Sequence, residues 1–280
     1  MYNGVTTNAK RGLFFMKKKR FLVMTDIEGV SGVTSFPQAE VSEFGKEMLM
    51  HDLLAVLRGI EDAGCDAVVY DMHTDGRNVD VSRISVPAVL GKPILPDLWR
   101  GVGDDFDGLF MLGLHTMQHV KGACLAHSYL REYDSIHING KLLGEIGVEA
   151  ALAGERGIPL LFVSGDDLGC REAEELIPGV ITCAVKKSLT EDSAICLPAE
   201  KTAEMLYEAA LKAAKANVEP YKLSSPYEIK IKFSDCFYLT KMKNIHPEIF
   251  DTDDTVIMRG DNLLATWSEY LKYEKEMTRE

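Results

Sequence analysis

Short apolar runs alternate with long amphipathic segments along most of this chain, and that rhythm leaves few folds open. Arg20–Asp26, Asp66–Asp71, Gly108–Gly113, Pro159–Ser164 and Val180–Val185 each read as a strand too apolar to face water on either side. Ser135–Asn139 is a short alternating strand. Between them, Glu43–Gly64, Leu143–Arg156 and Ala199–Ala216 read as helices. In the first, Met48, Leu53, Leu54, Leu57 and Ile60 are expected on one face. The pattern predicts an α/β fold: a largely parallel sheet with helices on both faces. After about Pro220 the character changes. Tyr227–Phe233 alternates like a half-exposed strand, Val256–Gly260 is another, and Asn262–Tyr273 is a closing helix. We therefore expect an α/β catalytic domain over residues 16–219 and a smaller C-terminal α+β lobe over 220–280, joined through Asn217–Pro226. Residues 1–15 are expected to be a disordered extension, with Met16 an alternative start.

The net charge of −12 argues against nucleic acid or an anionic membrane as partner, and no apolar run approaches a bilayer span. The six cysteines are scattered and include no CxxC, which predicts free thiols and a cytoplasmic location.

The chemistry-bearing residues recur at one kind of place. Asp26 and Glu28 end the first strand, His73 the second and His115 the third. Glu145 opens a helix, and His127 lies in Leu125–Ala126–His127–Ser128. In a parallel sheet these strand ends share one edge, where ligands bind near the topological switch point. Three carboxylates and two imidazoles, with no thiolate, suit Zn²⁺, Mn²⁺ or Co²⁺ better than Mg²⁺ or Ca²⁺. Five ligands exceed what one catalytic zinc uses, but suit two ions if a carboxylate bridges; Asp26, nearest the sheet centre, is the natural bridge. His51, His137 and His246 read as structural, and His119 as a bystander. Gly165–Asp166–Asp167 is read as the cap of the helix Asp167–Leu176, with a metal or substrate contact as the alternative. Gly101–Val102–Gly103 lacks the spacing of a dinucleotide loop.

With these residues in place, the chain from about Lys19 onward resembles the DppA-like D-aminopeptidase family of binuclear zinc peptidases. Asp26-x-Glu28-Gly29, Gly113-x-His115, Ala126-His127-Ser128 and Asn139-Gly140-x-x-x-Gly144-Glu145 occur in that family's order. The resemblance implies that Asp26 bridges two zinc ions, that Glu28 and His115 complete one site, and that His73 and Glu145 complete the other. It also implies a direct catalytic role for His127, short peptides with an N-terminal D-residue as substrate, and a ring-shaped homo-oligomer, a decamer. The expected chemistry is hydrolysis of the N-terminal peptide bond by a hydroxide held at the ions, with His127 assisting and an acidic pocket, to which Asp166 contributes, receiving the substrate amine.

Two rival readings remain. Asp26-x-Glu28-Gly29 with Gly165–Asp166–Asp167 also approaches a haloacid-dehalogenase-type, Mg²⁺-dependent phosphohydrolase, in which Asp26 is the nucleophile and Glu28 the acid. That chemistry gives no task to His73, His115 and His127. The other is a ring-forming metal-binding or peptide-binding protein without catalysis.

Overall fold

The computed structural model describes residues 18–234 and 236–278; the expected extension over 1–15 lies outside them. In chain order the elements are β1 (Arg20–Thr25), α1 (Phe36–Glu40), α2 (Glu43–Asp62), β2 (Asp66–Asp71), β3 (Ala88–Val89), β4 (Gly108–Leu114), β5 (Tyr133–Ile138), β6 (Lys141–Leu142), α3 (Glu145–Glu155), β7 (Leu160–Asp166), α4 (Asp167–Leu176), β8 (Ile181–Thr190), β9 (Ser193–Cys196), α5 (Ala199–Ala213), β10 (Tyr227–Phe233), α6 (Phe237–Ile245), β11 (Thr255–Gly260) and α7 (Leu263–Thr278). The main sheet runs β3-β2-β1-β4-β7-β8-β9, all parallel except β9.

The chain leaves β1 toward β2 and β3, then returns to lay β4 on the other side of β1 and continues to β7 and β8. The switch point is thus the β1/β4 junction. Right-handed crossovers in these two directions place α2 on one face of the sheet, and α3 and α4 on the other. α5 returns to pack on α2, so closely that a Cβ on Gly59 would stand 2.6 Å from the Tyr207 carbonyl oxygen. Phe21, Phe110 and Phe162 stack across β1, β4 and β7, with centroids 4.9 and 5.4 Å apart. The buried face of α2 is Leu49, Leu53, Val56, Leu57 and Ile60. Leu54, expected on that face, is exposed, because it falls outside the stripe that runs through Leu49, Leu53, Val56 and Ile60.

A second sheet, β11-β10-β5-β6, is antiparallel and carries α7 against β10 and β11. It draws β5 and β6 from the segment assigned to the α/β region. β5 is only half buried, which suits a strand covered on one face better than one inside a parallel sheet. Asn139 (φ 52°) and Gly140 (φ 77°) form the two-residue turn between β5 and β6, in which both central residues take the left-handed conformation. Asn139 also accepts the Glu228 N–H at 2.8 Å and donates to the Ser224 carbonyl at 2.7 Å, so this turn locks β5 to β10. The Asn-Gly-x-x-x-Gly-Glu segment is therefore a hairpin that launches α3 with Glu145 in its first turn.

The strand ends at the switch point are packed backbone against backbone. Gly29 donates to the Gly113 carbonyl at 2.7 Å, and a Cβ on it would lie 1.9 Å from the Leu114 oxygen. Gly113 is left-handed (φ 74°), and a Cβ there would lie 2.3 Å from the Asp26 oxygen. No side chain can yield in either contact. Gly113→Ala is expected to cost about 4 kcal/mol or more, through backbone overlap and positive φ together. Urea unfolding checks this, and a loss below about 1 kcal/mol would show that the junction relaxes.

Candidate metal centre

Each ligand candidate sits at the end of an element that aims it. Asp26 follows β1, its N–H tied to the Leu112 carbonyl at 2.8 Å. Glu28 stands in the loop that crosses to β4. Lys186, buried on β8, donates to the carbonyls of Glu28, of Val30 at 3.2 Å and of Val33 at 2.5 Å, and so nails that loop down. His73 follows β2 in a loop organised by the buried Asp71 carboxylate, which accepts the N–H groups of Asn78 (2.5 Å) and Val79 (2.9 Å). His115 ends β4, and the next residue, Thr116, donates its hydroxyl to Asp166 at 3.0 Å. Glu145 opens α3 and accepts the Tyr129 N–H at 2.6 Å.

The structure brings all five together, and His127 with them. His73 Nδ1 is 2.8 Å from Asp26 Oδ1 and 3.0 Å from Glu28 Oε2. His115 Nε2 is 3.2 Å from Glu145 Oε1 and 3.5 Å from Asp26 Oδ2. The two oxygens of Asp26 thus face two different groups. The grouping differs from the pairing that the resemblance implies: Glu28 goes with His73, and Glu145 with His115. The cause is sheet order. β2 and β4 flank β1, so His73 and His115 approach Asp26 from its two sides, and His115 on β4 also faces the start of α3. Asp26, Glu28 and His73 offer ligand atoms all within 4.8 Å of one another, as do His115, His127 and Glu145. The His127 ring stacks on that of His115, centroids 4.0 Å apart and 5° from parallel.

These residues fit divalent cations on three counts. Every imidazole has one nitrogen fixed by a backbone carbonyl: His73 Nε2 by Ala39 (3.1 Å), His115 Nδ1 by Thr116 (3.1 Å) and His127 Nδ1 by Leu125 (2.8 Å). That fixes the ring and leaves the other nitrogen for the cluster. Glu28 Oε2 and His115 Nε2 are buried and make no hydrogen bond of normal geometry. The cluster also demands positive charge. Burial pulls His73 down, yet the carboxylates of Asp26 and Glu28 against its Nδ1 outweigh it and hold His73 at about 11. Burial likewise opposes protonation of His115, but Glu145 and Asp26 raise it well above the usual imidazole value. Burial and the charge of His115 push His127 the other way, so His127 stays neutral beside its stacked neighbour.

Asp166 is the side-chain cap of α4, accepting the Leu168 N–H at 3.2 Å along with the hydroxyls of Thr116 and Ser188, and Asp167 accepts the Ser188 N–H. Neither lines the pocket at the cluster, so the amine-binding role given to Asp166 is withdrawn. The Mg²⁺ site of the phosphohydrolase alternative goes with it, since both carboxylates are consumed in folding. His119 is exposed and paired with Asp134, away from the cluster, as expected of a bystander. Sequence reasoning missed Tyr129, Glu149, Arg100 and Lys186. Tyr129 donates its hydroxyl to Glu149 at 2.9 Å, and Arg100 ion-pairs with Glu149, one helical turn beyond Glu145. Leu125 (φ 57°) and Tyr129 (φ 60°) bracket His127 in left-handed conformations, strain of the kind that collects at functional sites.

Glu172 supports the cluster from behind, accepting the Met117 N–H at 2.9 Å, and burial pushes its carboxyl up to about 7. A raised acid binds its proton more tightly folded than unfolded, so its contribution to stability falls as pH rises from about 4.5 to about 7. Glu172→Gln is expected to remove that fall. The wild-type urea midpoint should drop relative to the variant between about pH 5 and pH 7.5, and parallel curves would contradict this.

A pocket at the switch-point edge of an α/β sheet, with buried carboxylates and carbonyl-anchored imidazoles poised for cations, is the apparatus of a metal-dependent hydrolase. The D-aminopeptidase family model matches residues 19–267, and the chain belongs to that family. It is 27% identical over 263 residues to the D-aminopeptidase of Bacillus subtilis strain 168, covering 90% of this chain and 95% of that one. It superposes with a TM-score of 0.84 and 26% identity on the structure described as the Zn-dependent D-aminopeptidase DppA from Bacillus subtilis, a self-compartmentalizing protease, covering 93% of this chain and 98% of that one.

Proposed function

We propose that this chain is a binuclear zinc aminopeptidase that releases the N-terminal residue of short peptides, preferring a D-residue there. The observation that carries the reading is the convergence of Asp26, Glu28, His73, His115 and Glu145 in one buried cluster, with His127 stacked on His115. Asp26, Glu28 and His73 would hold one ion, and His115 and Glu145 the other, with Asp26 shared. Bound there, the ions would acidify a water and polarise the scissile carbonyl; Mn²⁺ or Co²⁺ has the same donor preference.

The protein's own side chains do the remaining work. His127 is neutral and its Nδ1–H is held by the Leu125 carbonyl, so Nε2 is free to take a proton from the attacking water and return it to the leaving amine. Tyr129 fixes the Glu145 carboxylate through its backbone and reaches Glu149 through its hydroxyl. The cavity, about 690 Å³, accommodates a ligand of a few residues. Its floor of Asp26, Glu28, Glu145 and Glu149 favours a substrate ammonium group.

D-residue preference is supported by family membership alone, and a ring-shaped homo-oligomer, with a decamer as the expected count, by likeness to a protein described as self-compartmentalizing. A cytoplasmic location agrees with six unpaired cysteines. Among the described residues no helix is long and apolar enough to cross a membrane.

The test is a panel of D- and L-aminoacyl dipeptides offered to chelator-stripped protein reloaded with two equivalents of zinc per chain. Release of the N-terminal residue only when zinc is restored is the expected result. Zinc bound at two per chain with no peptide cleaved would favour the non-catalytic reading.

A further inference from the structure

The floor of the pocket is anionic, whereas its walls mix the cations Arg77, Lys92, Arg100, Arg131 and Lys275 with the anions Glu40, Asp75, Glu132 and Glu274. Three of the cations are neutralised at home. Arg77 pairs with Asp75 at 3.0 Å, Arg131 with Glu40 at 3.6 Å, and Arg100 with Glu149. Lys92 and Lys275 form no ion pair among the described residues. Lys275 is exposed on the last turn of α7. Lys92 is half-buried and held in place.

The backbone does the holding. Gly91 (φ 89°) and Lys92 (φ 47°) are both left-handed, and Pro93 follows. The Gly91 N–H donates to the Gly76 carbonyl at 2.7 Å. The lysine stem then crosses directly over Gly76, where a Cβ would stand 2.8 Å from Lys92 Cγ. Gly76 closes the turn that begins at His73, donating to the His73 carbonyl at 2.8 Å. Lys92 is therefore held against Gly76, which closes the turn whose first residue, His73, belongs to the metal cluster. Beyond it lies Glu274, whose carboxyl burial pushes up against the opposing pull of the Tyr133 hydroxyl, which donates to it at 2.5 Å, and of the nearby Lys92 charge. That carboxyl is committed to the protein and forms no ion pair with Lys92.

A peptide advances about 3.5 Å per extended residue. With its scissile carbonyl at the His73 cluster, the carboxylate of a di- or tripeptide arrives one or two residues farther on, within the reach of a lysine stem rooted at position 92. We propose that Lys92 binds the C-terminal carboxylate of the substrate, so that the enzyme reads both ends of a di- or tripeptide: ammonium toward the acidic floor, carboxylate toward Lys92. This rests on the aminopeptidase reading and sets its substrate class, since a longer chain would carry its carboxylate past the lysine.

The experiment compares a D-alanyl dipeptide with its C-terminal amide on zinc-loaded wild type, Lys92→Met and Lys92→Arg, with metal content and circular dichroism confirming folded, loaded protein. Wild type should prefer the free carboxylate by about 10- to 100-fold in kcat/KM, expressed in KM rather than kcat. Lys92→Met should bring that ratio close to one, and Lys92→Arg should restore most of it. Equal wild-type efficiency on dipeptide and amide would overturn the role of Lys92 and leave the aminopeptidase reading standing, as would an undiminished preference in Lys92→Met. Cleavage of neither substrate by loaded wild type would defeat both.

Discussion

Replacing His115 with alanine is expected to reduce bound zinc from about two ions per chain to about one, and to lower kcat by about 10³- to 10⁵-fold, with the fold retained. The magnitude follows from the several kcal/mol that one ion's polarisation contributes, at 1.36 kcal/mol per factor of ten. His115 Nε2 is the imidazole atom within reach of both Asp26 Oδ2 and Glu145 Oε1, so its loss leaves Glu145 with a carboxylate neighbour and no nitrogen donor but the stacked His127. The other set, Asp26 with Glu28 and His73, does not include it. Elemental analysis and far-ultraviolet circular dichroism check the two halves of the claim, and full occupancy in a folded variant would remove His115 from the ligand set. Combining His115→Ala with Glu28→Gln also distinguishes the two pairings. If Glu28 partners His73, as the distances indicate, the double variant strikes both sites and metal falls toward zero. If Glu28 and His115 share a site, the second substitution removes little that the first left.

Residue type and position alone were enough to nominate Asp26, Glu28, His73, His115 and Glu145, because each stands just beyond a strand or at the start of a helix, whereas His127, in the long loop between β4 and β5, took its role from the family resemblance. The apolar runs fixed the parallel sheet, and a parallel sheet sends such residues to one edge. Which residue faces which was hidden, because it depends on strand order. β2 and β4 flank β1, and nothing in the local pattern of Asp66–Asp71 or Gly108–Leu114 reveals this. The half-buried alternation of Tyr133–Ile138 was visible, but its membership in a second sheet depends on pairing with β10, almost a hundred residues later. Lys186 escaped notice for the opposite reason. A lone lysine on a strand near the surface of the sequence pattern reads as solvated, and only the fold shows that it is buried among three loop carbonyls. The Arg100–Glu149–Tyr129 network belongs to the same class: its members are unremarkable in sequence and meet only around the pocket.

For His127 the expected result is the complement of His115. His127→Ala should keep zinc near two per chain and lose about 10²- to 10⁴-fold in kcat, the range for a positioned proton-transfer group. The geometry separates the two histidines although their rings touch. Both are buried and stacked, but His115 is drawn toward the protonated or metal-bound form by Glu145 and Asp26, whereas burial and the charge of its neighbour depress His127. Two parallel imidazoles 4.0 Å apart do not both carry charge comfortably, so His127 is left as the neutral base. The sign of the pH effect follows. A base with a depressed pKa loses its function only when pH falls below that value, so wild-type kcat should hold at neutral pH and decline on the acid side. His127→Ala should lose that acid limb. A variant that instead sheds one zinc while the rate falls would make His127 a ligand of the His115–Glu145 ion, and wild-type turnover would exclude it from the chemistry. The two left-handed residues that bracket it, Leu125 and Tyr129, supply the control. Leu125→Gly relieves the positive φ without touching the imidazole, so a large loss of kcat there at full zinc occupancy would mean that the rigid placement of His127, as well as its proton affinity, sets the rate.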